Sequence, residues 1–248
     1  MDGNSRWARS RGLPAAVGYQ QGVEALRRVV RCCHEWGIPC LTVYAFSSEN
    51  WRRSPAEVAA LLALMERVVA AEVAELAAAG VRLRFIGELE RLPAPLRRRM
   101  ASAELATADN CSLHLTVAVS YSGQQDLTRA VREIAALAAA GQLPPQGVTP
   151  ELIEAHLATR VLPPAWRQPD LVVRTSGEQR LSNFMCFEAA YSELHFSPVM
   201  WPDFGEKELA EALRDFAGRE RRFGGRQARG ERSNQGSSCG GGSGHWGS

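Results

Sequence analysis

Cys40-Leu41-Thr42-Val43-Tyr44-Ala45, Ser54-Pro55-Ala56-Glu57 and Val81-Arg82-Leu83-Arg84-Phe85 are the three pieces that decide the fold class. The first is a short, mostly apolar run of strand length. The second is a capping box with proline at the first helical position. The helix it opens runs through Leu61, Leu64, Met65, Val68 and Leu76 until Gly80 stops it. The third alternates apolar and charged residues, the pattern of a half-exposed strand. Strand, helix and strand in succession imply parallel strands covered by helices.

The same alternation extends outward. Upstream, Val23, Leu26, Val30 and Cys33 recur at helical spacing, predicting a helix over 17–35 that Gly37 and Pro39 end. Downstream, helices are predicted near 95–106, 125–140 and 150–157, and strands over Leu113–Val119 and Leu171–Val173. A last helix is predicted over 204–217, with Gly218 placed to stop it. The expected class is α/β: a mostly parallel central β-sheet flanked by helices on both faces. In such sheets ligands bind beyond the carboxyl ends of the strands.

Composition fits this. The chain has 248 residues, 45% hydrophobic and 23% charged, which suits a globular chain and excludes a disordered or fibrous one. Residues 1–225 are expected to form the folded unit, and the Gly/Ser-rich stretch 226–248 a disordered tail. No apolar run is long enough to span a membrane. The net charge of +2 argues against nucleic acid or an anionic membrane as partner. Lys207 is the only lysine, so almost every cation is a planar guanidinium. Six cysteines (Cys32, Cys33, Cys40, Cys111, Cys186 and Cys239) form no C-x-x-C pair, and reduced, mostly buried thiols in an intracellular protein are expected. His34, His114, His156 and His195 sit at no ligand spacing, so structural or surface roles are expected for them. No secretory leader is visible at the start of the sequence.

Three predicted strands run into polar segments. These are Phe46 to Arg53, Ser120 to Gly123, and Arg174-Thr175-Ser176-Gly177-Glu178-Gln179-Arg180-Leu181-Ser182-Asn183. If the strands are parallel, all three meet at one edge. Arginines, hydroxyls and exposed N–H groups together suit a phosphorylated ligand. Asp2 and Glu193 are acids near them that could hold a divalent cation bridging phosphates. The sequence holds no P-loop, no G-x-G-x-x-G and no aspartate-rich metal cluster.

Ordered blocks along residues 1–225 resemble one family. Met1-Asp2-Gly3-Asn4-Ser5-Arg6-Trp7-Ala8, Tyr44 to Trp51, Arg174 to Glu178, Arg180 to Phe184, Ala190-Tyr191-Ser192-Glu193-Leu194, Trp201-Pro202-Asp203-Phe204 and Arg221-Arg222-Phe223-Gly224-Gly225 are similar to the signatures of cis-prenyltransferases of the undecaprenyl diphosphate synthase type. The resemblance implies a magnesium-dependent transferase that condenses isopentenyl diphosphate with an allylic diphosphate such as farnesyl diphosphate. Its product is a Z-polyprenyl diphosphate. By that resemblance Asp2 holds Mg2+ and assists departure of diphosphate, with Asn50 and Ser47 beside the reacting centre. Gly3, Asn4 and Arg6 line the allylic-diphosphate pocket, where Arg53 reaches in and Tyr19 occupies a contacting position. Arg174, Arg180 and Ser182 clamp isopentenyl diphosphate. Glu193 is implied as a metal ligand from the other side of a homodimer, and Arg222 with Gly224 completes a neighbouring subunit's site. Trp7, Trp51 and Phe46 are candidate site walls. A hydrophobic tunnel for the prenyl chain is implied, with the helix 55–79 as a candidate wall and Ala45, Ala59, Ala60 and Ala63 leaving room. Cytoplasmic placement is implied, peripheral to membranes through the lipid product, with an organelle such as the plastid as the other option.

Four features depart from the family pattern. The family has a central strand before Asp-Gly-Asn, and here the sequence starts at Met1. Tyr19 stands where the family has histidine, and Ala15 where many members have arginine. Ser5 replaces a glycine, and Ser120-Tyr121-Ser122-Gly123-Gln124 replaces Asn-Tyr-Gly-Gly-Arg. Three of these changes gather on the allylic side, so altered handling of the allylic substrate is expected. A non-catalytic partner subunit of a heteromeric prenyltransferase is the alternative reading.

Overall fold

The computed structural model describes residues 1–220. The order is α1 (Asn4–Arg9), α2 (Ala15–Glu35), β1 (Cys40–Ser47), α3 (Pro55–Ala78), β2 (Val81–Ile86), α4 (Ala94–Ala106), β3 (Leu113–Tyr121), α5 (Gly123–Ala139), α6 (Pro150–His156), β4 (Leu171–Arg174), β5 (Glu193–Phe196) and α7 (Glu206–Ala217). Arg222, Gly224 and the stretch 226–248 lie outside the described residues.

Every strand pairing is parallel, as expected of an α/β fold. The strands form two sheets, β1-β3-β2 and β4-β5. Helix α3 opens as the sequence predicts: Ser54 Oγ accepts from the Glu57 N–H, with Pro55 at the first position. Helix α2 starts at Ala15, just after Pro14, two residues earlier than the periodicity indicates. Strand β1 runs on to Ser47, because Ser47 caps the 3₁₀ turn Ser48–Arg52. Helix α7 starts at Glu206 rather than at 204, since Trp201–Asp203 forms a 3₁₀ turn and Gly205 becomes the N-cap.

The core lies between the three-stranded sheet and the helices around it. Val29, Val30 and Cys33 of α2, Leu113 and Leu115 of β3, and Leu96 and Met100 of α4 belong to one buried cluster. Helix α3 is different. It is apolar along most of its length, yet only Val58, Leu62 and Val69 are buried. Leu61, Leu64, Met65, Val68 and Leu76 line a cavity of about 500 Å³ bounded also by α2 and the sheet. A helix that is apolar nearly all round ordinarily sits in a core. Here it faces an interior space on one side.

Cys40–Ala45 of β1 and Leu171–Arg174 of β4 line one cavity of about 940 Å³. Asp2 lies at the carboxyl end of this space. Its N–H donates to Thr175 Oγ1 (3.0 Å), and its carbonyl accepts from the Trp201 N–H (2.9 Å) and from Ser176 Oγ (2.7 Å).

Of the described cysteines, Cys32 and Cys33 are buried, but Cys111 and Cys186 are exposed, against expectation, because each sits in a connection rather than in an element. Three histidines do structural work. His114 packs edge-on to Trp166, His156 meets Glu133 at 3.0 Å and His195 meets Asp215 at 2.9 Å. No helix among the described residues is long and apolar enough to cross a membrane.

Candidate active site

The 940 Å³ cavity opens where the carboxyl ends of β1 and β4 meet α1 and α2. It brings together Asp2, Gly3, Asn4, Arg6 and Tyr19 with Ser47, Asn50 and Arg53, and with Arg174, Arg180 and Ser182. Eleven residues singled out in the sequence therefore converge on one space. Trp7 and Trp51 do not line it. Trp7 donates its indole N–H to Asp203 (2.7 Å). Trp51 donates to Ser120 Oγ (2.9 Å) and packs edge-on against Phe46 at 5.2 Å. An indole N–H that meets a protein acceptor draws its ring toward that acceptor. Phe46 is buried and lines the apolar cavity instead.

Local backbone explains how Asp2 is aimed. Gly3 has φ 101°, and a Cβ there would lie 2.2 Å from Ser176 Oγ. Only glycine lets the chain turn here while pressed against the loop after β4. Helix α1 then rests on α2 through Gly18, where a Cβ would lie 2.1 Å from the Asn4 carbonyl. The Asp2 carboxylate accepts from the Gly3 N–H (2.7 Å) and faces Arg6 at 3.2 Å and Arg174 at 3.3 Å. Burial pushes its pKa up. The Gly3 N–H and the two guanidiniums outweigh that, holding the carboxyl below its ordinary value.

The turn after β4 is strained. Ser176, Ser182, Asn183 and Met185 all have positive φ. Non-glycine residues rarely adopt it, and such strain concentrates at functional sites. The turn curls around Arg174, whose Nη1 donates to the Arg180 carbonyl and to Ser182 Oγ (2.6 Å). Asn183 fixes the far side, donating to Ser122 Oγ (2.6 Å) and Glu49 (3.1 Å) while accepting from the Gln124 N–H (2.9 Å).

Across the cavity, the Tyr19 hydroxyl donates to Glu57 Oε1 (2.7 Å), lies 2.8 Å from Ser5 Oγ, and accepts from Arg53 (3.2 Å). Ser5, which replaces a glycine of the family pattern, is turned to the phenol. Asn50 Oδ1 accepts from the Ser47 N–H (3.1 Å), which leaves its amide NH₂ as the free end. Asn4 Oδ1 is buried without a partner.

Several residues that shape the site were not singled out in the sequence. Thr175 and Ser176 pin the backbone of Asp2. Glu178 bridges Arg6 (3.0 Å) and Arg180 (2.5 Å). Glu57 holds Arg53 at 3.0 Å. All stand in or beside the quoted motifs, but their side-chain directions are set by tertiary contacts.

Glu193 does not join Asp2. It begins β5, in register with Leu171, and pairs with Arg219 at 2.8 Å. Three residues of strand, roughly 10 Å, separate that level from Arg174. No group of three or more acidic, His or Cys side chains able to hold a metal exists among the described residues. Asp2 itself, with a side chain 40% exposed, fits a magnesium ion of the kind that takes one or two carboxylates and otherwise water and substrate phosphate oxygens.

The 940 Å³ and 500 Å³ cavities share Met1, Asn4, Tyr19, Ala45, Leu61 and Trp201. These six residues form a common wall between the two cavities, with Tyr19 in it. The larger carries guanidiniums and hydroxyls at its Asp2 end and aliphatic side chains of β1, β4 and α7 elsewhere; the smaller is lined mostly by aliphatic side chains.

Residues 1–224 match the model of the family described as putative undecaprenyl diphosphate synthase. The chain is 48% identical over 225 residues to isoprenyl transferase 2 of Bradyrhizobium diazoefficiens, covering 91% of this chain and 88% of that one. It is 46% identical to a chloroplastic dehydrodolichyl diphosphate synthase of Solanum lycopersicum, covering 92% and 72%. Among solved structures it is similar to lavandulyl diphosphate synthase of Lavandula x intermedia in complex with dimethylallyl diphosphate. That likeness has a TM-score of 0.87 and 36% identity over 90% of this chain and 95% of that one.

Proposed function

Because this chain belongs to the undecaprenyl diphosphate synthase family, we propose that it is a magnesium-dependent cis-prenyltransferase that adds isopentenyl diphosphate to an allylic diphosphate such as farnesyl diphosphate, giving a Z-polyprenyl diphosphate. The observation that carries the proposal is the gathering of Asp2, Arg6, Arg53, Arg174 and Arg180 around one cavity, with an aliphatic cavity along α3 on the other side of a shared wall.

The residues divide the work. Arg174, Arg180 and Ser182 hold the diphosphate of isopentenyl diphosphate, since a guanidinium fork fits phosphate oxygens bidentately. Arg6, Arg53, Asn4 and the backbone at Gly3 hold the allylic diphosphate. The free NH₂ of Asn50 donates between the two. Asp2 would hold magnesium, which would supply neutralisation of the departing diphosphate. With both heads fixed, the alkene of isopentenyl diphosphate attacks the allylic carbon, the C–O bond breaks and a proton is lost. This is catalysis by positioning and preorganised charge. The growing chain threads past Tyr19 and Leu61 into the cavity along α3, which acts as the hydrophobic tunnel. Glu193 serves as a ligand only across a homodimer, and Arg222 with Gly224 completes the neighbouring site. The enzyme works in the cytoplasm and meets membranes through its lipid product. Convergence of Asp2, Arg6 and Arg174 supports a catalytic chain over a non-catalytic partner, which has no use for them.

Incorporation of labelled isopentenyl diphosphate into extractable lipid, with farnesyl diphosphate and magnesium, tests this. Turnover is expected, lost on Asp2→Ala and kept on the surface change Arg97→Ala. Equal loss on both would count against the assignment.

A further inference from the structure

We propose that Glu57 is a latch on the allylic-diphosphate side: its carboxylate takes the hydroxyl proton of Tyr19 and the Nη1 end of Arg53, donors that an incoming diphosphate would use, and it lets go of both when that substrate binds. The inference rests on the function proposed above. Four side chains from separate parts of the fold meet here. Ser5 comes from α1, Tyr19 from α2, Arg53 from the turn before α3 and Glu57 from the first turn of α3. Ser5, Tyr19 and Arg53 line the 940 Å³ cavity; Glu57 stands behind them. A single oxygen, Glu57 Oε1, takes both the Tyr19 hydroxyl (2.7 Å) and Arg53 Nη1 (3.0 Å).

A phenol has one proton to give. Here it goes to Glu57 while the phenol oxygen takes Arg53 Nη1 and faces Ser5 Oγ, so Tyr19 has no donor left for a diphosphate. Arg53, which donates to that phenol oxygen at 3.2 Å, has Glu57 as its counter-ion. Burial pushes the Tyr19 pKa up, so the hydroxyl keeps its proton. Two features make the latch releasable. The Glu57 side chain is 36% exposed, so water receives the carboxylate when it swings out. A diphosphate carries more charge than a carboxylate and so displaces it from the guanidinium. Glu57 is thus a positioning residue that sets how readily the allylic site is filled. It acts on neither the chemistry nor the isopentenyl side.

The test is E57Q, which keeps the helix-cap geometry and removes the charge, with KM measured separately for farnesyl diphosphate and isopentenyl diphosphate. An exposed pair is worth roughly 0.2–1 kcal/mol, or about 1.4- to 5-fold in affinity. The allylic KM is expected to fall by about that factor, with the isopentenyl KM and kcat unchanged. Y19F is expected to raise the allylic KM, because the donor that the latch frees is gone. An allylic KM that is unchanged or raised in E57Q, or that moves together with the isopentenyl KM, overturns the latch while leaving the parent reading intact. A lowered melting temperature with no selective KM shift assigns Glu57 a purely structural role and also overturns it. A wild-type chain that turns over no allylic primer overturns the parent reading and the latch with it.

Discussion

The turn after β4 and the face built from α1, α2 and the head of α3 both carry arginines to the same cavity, but they hold them in opposite ways. Arg174 is 15% exposed and is gripped largely by neutral acceptors, the Arg180 carbonyl and Ser182 Oγ. Its one carboxylate partner is Asp2 at 3.3 Å, and its direction is fixed by a backbone with a run of positive φ values. Arg6 and Arg53 are 43% and 37% exposed and are held by carboxylates. A counter-ion sits on each until something displaces the acid. A site held by neutral acceptors is preorganised; a site held by counter-ions must exchange partners to bind. The first should depend on geometry, the second on charge.

Asp2 joins the two regions, so its loss should have the largest effect. Asp2→Asn is expected to lower kcat by about 10³-fold, the scale of removing a preorganised electrostatic group. The fold should persist, because the backbone of Asp2, not its carboxylate, is bonded to Thr175, Ser176 and Trp201. Steady-state kinetics with a melting curve reads both. On the rigid side, Arg174→Lys keeps the charge and loses the fork. The KM for isopentenyl diphosphate should rise about 10- to 100-fold, as expected of losing one or two charge-assisted hydrogen bonds. A small change would mean that charge alone suffices there, and the contrast would fail.

Glu188 tests what stands behind the rigid turn. It is 2% exposed, accepts from Thr159 (3.1 Å), and burial pushes its carboxyl from 4.5 up to about 7. The folded chain therefore binds this proton more tightly than the unfolded one. The stabilisation is full below pH 4.5 and drains away as pH rises through 7. Glu188→Gln, unable to ionise, should gain up to roughly 3 kcal/mol over wild type at pH 8 and nothing at pH 4. Melting curves at the two pH values decide it; equal differences at both would refute the buried proton. The subtlest expected effect lies beyond both regions. Val68→Trp, filling the cavity along α3, should leave the first addition intact and shorten the product, as read by mass spectrometry.

Much of this was legible in the sequence, and the boundary has physical causes. The Ser54-Pro55-Ala56-Glu57 box predicts where α3 begins, because capping is local chemistry. Alternation predicts β2 and β3, because side-chain period reports burial. Strand β5 escaped: Glu193–Phe196 is four residues long with no clean alternation. The short helix α1 escaped as well, since it is held by contact with Gly18 rather than by its own periodicity. The sequence placed the arginines at the correct edge but not their partners. Glu57 and Glu178 look like solvent-facing acids, and only the fold turns them inward. Trp7 and Trp51 look like walls, yet their indole N–H groups find Asp203 and Ser120 elsewhere.

The most direct check is a crystal structure of the protein with magnesium, isopentenyl diphosphate and the unreactive thio-analogue of farnesyl diphosphate. One diphosphate should lie on Arg174, Arg180 and Ser182, and the other on Arg6 and Arg53 with Glu57 released. The hydrocarbon should run past Tyr19 along α3. Diphosphates bound elsewhere, with those guanidiniums still paired to Glu57 and Glu178, would contradict it.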